Sequence, residues 1–384
     1  SVARTPIGSF RGSLSTLSAP QLGSVAIRGA IERAGISSDS VDEVIVGHAL
    51  TAGVGHMTAA QAAKEAGLPV EVVCSVVNKG CASGMRAIMS AVQSIRLGDR
   101  NVVVAGGMES MSNTPYLLPR GELLYGSATL IDGVRDDALT DPFSGQHVGY
   151  LADKEAVKHG ITRAAQDEYA ANSYRRSARA AADGLSAKEI VPVTVAGKRG
   201  KPDVTVTDDE EYKNINVDRM LSLAPVFVKD GTGTVTAANA SGINDGAAAA
   251  VLMSGAAVKK FGVRPLAKVI AYADAAVEPD GFVRAPAYAI PDVLAKAGLD
   301  KCQIAHWEIN EAFSNVPLLC IKLLGLDPER VNPNGGAVSL GHPVGCSGVR
   351  IVNHLALHLK PDEFGLAAIC NAGGGASAVL IQKL

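Results

Sequence analysis

The sequence predicts an α/β fold made of two similar halves, and three observations carry that prediction. Helical and strand patterns alternate from the start of the chain with short connections, as in a parallel sheet covered on both faces. An internal repeat, displaced by 263 to 267 residues, links the first quarter of the chain to the last. Apolar residues make up 47% of the chain and aromatic ones only 4%, so the core consists of Ala, Val, Ile and Leu.

Taken in order, the first helix is Leu22–Ala34, with apolar residues at helical spacing and a stop at Gly35. Val41–Leu50 is a strand candidate, and Val72–Asn78 (VVCSVVN) is a second. The stretch NKGCASGMRAI then turns into a helix, where Met85, Ile88, Met89, Val92 and Ile95 recur until Gly98 ends the pattern. An apolar strand, Asn101–Ala105, follows. The repeat sets AGISSDSVDEVIVGHAL (Ala34–Leu50) on AGLDKCQIAHWEINEAF (Ala297–Phe313) without a gap. SGMRAIM matches SGVRIV from Ser83 and Ser347, and VAGG at Val104 matches NAGG at Asn371. Three anchors in one order at nearly one offset indicate a duplication.

Between the halves, from about Thr114 to Asn239, Pro and charges increase. Pro119–Gln146 reads as loop, and two helical patterns follow, about Val148–His159 and Arg163–Asp183. Lys198, Arg199, Lys201, Lys213, Arg219 and Lys229 stand among as many acids, the pattern of a solvated surface. The expected division is a first half at 1–113 completed by 240–260, an insert at 114–239, and a second half at 261–384. A net charge of −2 excludes charge-driven binding to nucleic acid or anionic membrane. The longest uncharged run, Phe364–Gln382, is broken by three glycines and reads as strand, turn, strand. Six cysteines without metal-ligand spacing predict reduced thiols and an intracellular compartment.

Chemistry concentrates at Gly-rich turns. Cys81 lies where a strand feeds a helix N-terminus, and the dipole there is expected to favour the thiolate. His342 sits in NGGAVSLGHPVGCSG, Cys370 in CNAGGG and Asn310 in NEAF, the first two at what read as corresponding positions of the second half. Gln146-His147 heads the insert helix. In a duplicated α/β fold such strand ends meet at one crevice. One thiolate acylated with an imidazole as base, and a second thiol moving a proton on carbon, is the reaction type suggested. Spacing alone leaves open a structural or ligand-carrying duplicated domain. Cys74, Cys302, Cys320 and Cys346 read as packing residues.

Taken together, RTPIGSF, NKGCASGMRA, VAGGMESMSN, GTVTAANASGINDGAA, WEINEAFS, NGGAVSLGHPVGCSG and CNAGGG resemble the thiolase family, in its short-chain acetoacetyl-CoA branch and most closely its mitochondrial form. The resemblance implies two βαβαβαββ halves in a five-layered αβαβα arrangement with an inserted loop domain. It implies Cys81 as the acetylated nucleophile, His342 as its activator and Cys370 as the acid–base at Cα. Asn310, through a water, and His342 are implied to stabilise the enolate, and the N–H groups of Cys81 and Ala372 the tetrahedral intermediate. His147, Tyr174, Arg219, Phe227, Ser241 and Phe313 fall at coenzyme A or substrate positions. Tyr174, Ala237, Ala238, Ala240 and Val338 fall at potassium positions. Coenzyme A is then substrate and product, with no cofactor for the chemistry, in a mitochondrial homotetramer; the cytoplasm is the alternative compartment. Val148, Lys154, Gly80 and Ala372 depart from the usual family residues. Two other readings remain: a decarboxylating ketoacyl synthase-like enzyme, suggested by GTGT at Gly231–Thr234, and a silent acyl-CoA-binding protein.

Overall fold

The computed structural model describes residues 1–121, 125–197 and 200–384. The main elements of the first half are β1 (Val2–Arg4), α1 (Ala19–Ala34), β2 (Glu43–Gly47), α2 (Thr58–Glu65), β3 (Val73–Val77), α3 (Ser83–Leu97) and β4 (Val102–Ser110). After the insert, which holds α4 (Val148–Lys158) and α5 (Arg163–Ala182), β5 (Asn244–Met253) returns to the same sheet. That sheet runs β1-β5-β4-β2-β3, with the short strand Gly8–Ser9 also on β5.

The second half contains β6 (Ala267–Ala276), α6 (Pro286–Ala297), β7 (Ile304–Ile309), α7 (Asn315–Leu324), α8 (Val344–His358), β8 (Phe364–Asn371) and β9 (Gly375–Lys383). Its sheet runs β6-β9-β8-β7. Order and direction repeat those of β1-β5-β4-β2: one parallel pair, then two antiparallel ones. A parallel bridge from Trp307 to Val331 marks the place of the missing counterpart of β3.

Three apolar cores separate five layers. Leu22, Ile27 and Ala62 of α1 and α2 cover the outer face of the first sheet through Val44, Val104 and Ala249. Met85, Ile88 and Met89 of α3 join Val349, Ile351 and Leu355 of α8 between the two sheets. Ile290 and Val293 of α6, with Val316 and Leu319 of α7, cover the far face of the second sheet.

Two boundaries differ from the sequence expectation, each for a physical reason. Helix α1 starts at Ala19, because Ser18 and Gln21 form a reciprocal capping box ahead of the apolar pattern. Strand β4 continues to Ser110, since β5 pairs with it from Met253↔Val102 to Asp245↔Ser110. Within Pro119–Gln146, expected to be loop, Ile131–Asp132 pairs with Tyr116–Leu117 and Val134–Ala138 forms a π-helical turn, while residues 122–124 lie outside the described residues. Of the insert's cations, Lys201, Arg219 and Lys229 are exposed and Lys213 pairs with Asp208; Lys198 and Arg199 lie outside the described residues. Among the described residues, no helix is long and apolar enough to cross a membrane.

Candidate active site

The turn carrying Cys81 is fixed from both halves. Gly80 takes a positive φ of 53°, and its amide donates to Asn78 Oδ1 at 3.0 Å. Asn78 Nδ2 donates to the Ala49 carbonyl at 3.1 Å, and the Lys79 amide to Ser83 Oγ at 2.8 Å. Lys79 Nζ then crosses to the second sheet, where it pairs with Asp274 and reaches Ser377 Oγ at 2.9 Å and the Ala376 carbonyl at 3.2 Å. Helices α3 and α8 touch at glycines. A Cβ on Gly84 would stand 2.6 Å from the Gly345 carbonyl, and one on Gly348 2.4 Å from the Met85 amide. This close crossing brings the start of α8 onto the start of α3.

His342 immediately precedes α8 and is not at the repeat position of Cys81. With the two SG pairs superposed, Cys81 falls on Gly345 and His342 on Asn78, a correction to the expected correspondence. The imidazole is buried, 6% exposed. Its backbone amide donates to Asn244 Oδ1 at 2.9 Å. Nδ1 lies 2.6 Å from Ser347 Oγ, and Nε2 is buried with no partner among the described residues. Cys370, near the end of β8, is fully buried. On the neighbouring strand end, Asn310 donates its backbone amide to the Ala368 carbonyl at 2.9 Å. Both polar atoms of the Asn310 side chain are buried without a partner among the described residues. Buried polar atoms are nearly always satisfied in native proteins, so orphans on Asn310 and His342 indicate that water or substrate completes them.

The charge state of Cys81 differs from the expectation. Burial pushes its thiol up to about 11, and the nearby Glu109 carboxylate adds to the rise. The amides of Cys81 and Ala372, which hydrogen-bond the sulfur, pull the other way without overcoming burial. Ala372, which stands where the family usually has Gly, therefore still presents its N–H. Burial, with Arg350 in support, lowers His342 to about 4. Burial also raises Cys370 far above an ordinary thiol, and the neighbouring sulfurs of Cys81 and Cys320 add to it. These shifts favour the neutral form of both thiols and of the imidazole at rest, opposing the pull of the helix terminus toward a thiolate.

The remaining predicted residues fall into two groups. His147 stacks on Phe227 with ring centroids 4.5 Å apart. Gly149 is required beneath them, since a Cβ there would lie 2.0 Å from the Phe227 ring. Ser241 donates its amide to the Ala312 carbonyl at 3.1 Å, and Ala240 bridges to Phe313, so both adjoin the NEAF turn. Phe313 packs edge-on against Phe282 at 6.5 Å. Arg219 projects, exposed, from the short helix Val217–Met220. Tyr174, Ala238 and Val338 share one apolar cluster with Ala170 and Met220; Ala237 is exposed beside it. Cys320 and Cys346 are buried as expected, but Cys302 is exposed in the turn before β7, a correction to its packing role. Sequence reasoning also passed over Ser347, Lys79 and Glu109. The repeat held the signal for Ser347, whose partner Ser83 sits in the Cys81 turn.

A cavity of about 1040 Å³ lies elsewhere, walled by Val92, Arg96, Phe261 and Arg264, so size alone does not locate the chemistry. Comparison with known proteins identifies the family. The thiolase N-terminal domain matches residues 1–256 and the thiolase C-terminal domain residues 263–383. The chain is 56% identical over 384 residues to the mitochondrial acetyl-CoA acetyltransferase of Bos taurus, covering all of this chain and 90% of that protein. It is 55% identical to the Homo sapiens mitochondrial acetyl-CoA acetyltransferase, with the same coverage. The crystal structure of the Acat5 thiolase of Ascaris suum in complex with coenzyme A superposes with a TM-score of 0.96 at 49% identity, over 100% of this chain and 98% of that one. With the duplicated five-layered fold and both domain matches spanning nearly its whole length, the chain belongs to the thiolase family.

Proposed function

We propose that this protein is an acetyl-CoA C-acetyltransferase, which interconverts two acetyl-CoA with acetoacetyl-CoA and free coenzyme A through an S-acetyl-Cys81 intermediate. The observation that carries the reading is the meeting of residues from opposite ends of the chain: the Ala372 amide bonds the Cys81 sulfur, and a Cβ on Gly80 would lie 3.5 Å from Asn371 Cβ, next to Cys370. Relatives named acetyl-CoA acetyltransferase at 55–56% identity over the full chain support the same activity.

The neutral resting site assigns the proton steps. His342 Nε2 takes the Cys81 proton as sulfur attacks the acetyl carbonyl, because a thiol held near 11 reacts only as its proton leaves. The Cys81 and Ala372 amides receive the negative oxygen of the tetrahedral intermediate. The Cys370 thiol gives its proton to the departing coenzyme A sulfur. It becomes a thiolate whose charge the His342 imidazolium balances. That thiolate removes a Cα proton from the second acetyl-CoA. Asn310, through a water, and His342 then supply the stabilisation that so weak a carbon acid needs at its enolate oxygen. The carbanion attacks the acetyl group. Cys81 leaves and recovers its proton from His342, while Cys370 keeps the one from carbon, so both thiols are restored.

His147, Phe227, Arg219, Ser241, Phe313 and Tyr174 are proposed to hold coenzyme A and the acyl group. The His147–Phe227 stack offers a flat apolar wall, and Arg219 a cation for phosphate. Potassium fits the donor set of the Tyr174 hydroxyl and the carbonyls of Ala237, Ala238, Ala240 and Val338. All are neutral oxygens; burial chiefly raises Tyr174, and the nearby Glu211 and Glu311 carboxylates add to the rise and favour a cation. The ion would order the loop before β5. A mitochondrial location follows the relatives' names, and a homotetramer follows the family likeness.

Cys370 argues against a decarboxylating synthase, which needs a second histidine there. GTGT lies after Asp230, whose carboxylate accepts from Thr232 Oγ1 at 2.6 Å. The test is thiolysis of acetoacetyl-CoA. Wild type is expected to turn over, with acetyl found on Cys81 by peptide mass spectrometry and activity lost in Cys81→Ala. Full activity in that variant, or acetyl on another residue, contradicts the reading.

A further inference from the structure

We propose that Ser347 is the positioning residue that fixes the tautomer of His342, and that Pro343 is what frees it to do so. The proposal rests on the catalytic reading of His342 above, but its structural basis is the duplication. In the first half, Ser83 Oγ accepts the Lys79 amide at 2.8 Å and bonds the Gly80 carbonyl. Ser347 is the same position in the second half, and Pro343 stands where Lys79 stood. Proline has no N–H to donate. Ser347 Oγ therefore lacks the backbone donor that occupies Ser83, and the His342 imidazole takes its place, with Nδ1 at 2.6 Å.

Counting bonds decides which nitrogen carries the proton. Ser347 Oγ also lies 3.0 Å from the Pro343 carbonyl, to which its O–H donates. With hydrogen on Nδ1, two bonds form in series, Nδ1–H to Oγ and Oγ–H to the carbonyl. With hydrogen on Nε2, Oγ–H must turn to Nδ1 and the bond to the Pro343 carbonyl is lost, so one of the two bonds remains. One net hydrogen bond suffices for about a tenfold preference for the first arrangement. The preferred tautomer leaves a bare lone pair on Nε2, the state a general base needs in order to receive the Cys81 proton. Ser347 is 1% exposed, so water does not compete for the bond.

The test combines spectroscopy and kinetics. In protein labelled with ¹⁵N-histidine at pH 7, the His342 signals, assigned by their loss in His342→Gln, are expected to be protonated at Nδ1 and bare at Nε2. In Ser347→Ala that pattern should become mixed, kcat should fall about tenfold, and KM should stay within about twofold. Ser347→Thr, which keeps the hydroxyl, should restore both. A wild-type spectrum with hydrogen on Nε2 overturns the proposal, and so does unchanged kcat in Ser347→Ala. Lost activity with an unchanged tautomer would mean a merely structural role and overturns it equally. If Ser347→Ala does not fold, the wild-type spectrum decides alone. A wild type without thiolase activity defeats the functional reading, whereas the tautomer is read from the free protein independently.

Discussion

The proposed nucleophile, Cys81, favours its neutral form at rest. Burial pushes the thiol up to about 11, outweighing the amides of Cys81 and Ala372 that pull it down. A thiol in that state reacts with alkylating reagents only through its rare thiolate. The rate of Cys81 carboxamidomethylation, followed by mass spectrometry, should therefore climb about tenfold per pH unit from pH 7 to pH 10. A plateau below pH 8 would show a thiolate already formed at rest. Cys81, His342 and Cys370 stood out in the sequence because glycines mark the turns around them. Their protonation did not, since burial depends on a second half some 260 residues away. Ser347 had its signal in the repeat, as the partner of Ser83, but its contact with an imidazole shows only in the fold.

Among the elements, the crossing of α3 and α8 sets the geometry of the site. Each helix begins at a reacting turn, and the two approach at Gly84 and Gly348 more closely than any Cβ allows. Gly348→Ala would place a methyl 2.4 Å from the Met85 amide, against backbone that cannot rotate away. We expect a loss of at least about 1–3 kcal/mol in stability, the range for overpacked cores, with kcat falling as the two turns separate. Thermal melting and steady-state thiolysis measure both, and a variant of unchanged melting temperature would show that the helices have room. Helix α3 was legible from apolar periodicity, β2 as a strand candidate, β7 through its repeat of β2, and β8 as the first arm of an uncharged run broken by glycines. The second half of β4 was not, because its partner β5 returns only after the insert.

At the scale of the whole molecule, the insert is tied to the first half through charge buried at its margin. Arg4 on β1 donates to Glu189 Oε2 at 2.6 Å and grips Asp209 with two nitrogens at 2.7 and 2.9 Å. Burial opposes this arrangement, but Arg4 and His354 hold Glu189 well below the ordinary carboxylate range. A carboxylate depressed in this way stabilises the fold above its unfolded value of about 4.5 and loses that contribution as pH falls below it. Asp209→Asn leaves Arg4 short of a counter-charge in a dry environment and should cost about 3–5 kcal/mol, read as a lower Tm at pH 7. An unaltered Tm would mean that water reaches the pair. The duplicated architecture itself was legible, since both sheets repeat one strand order and the repeat in sequence fell on matching elements.

Cys81 and Cys370 are proposed to act on the same pair of substrate carbons, one holding the acetyl group and the other moving a proton on its partner. Incubating Cys370→Ala with methyl-deuterated acetyl-CoA in water tests this most directly. S-acetyl-Cys81 should still form, while deuterium wash-out from the methyl carbon and release of acetoacetyl-CoA should both fall by about 10²- to 10⁴-fold, the usual contribution of a positioned acid–base. Wash-out and condensation at the wild-type rate would contradict the account.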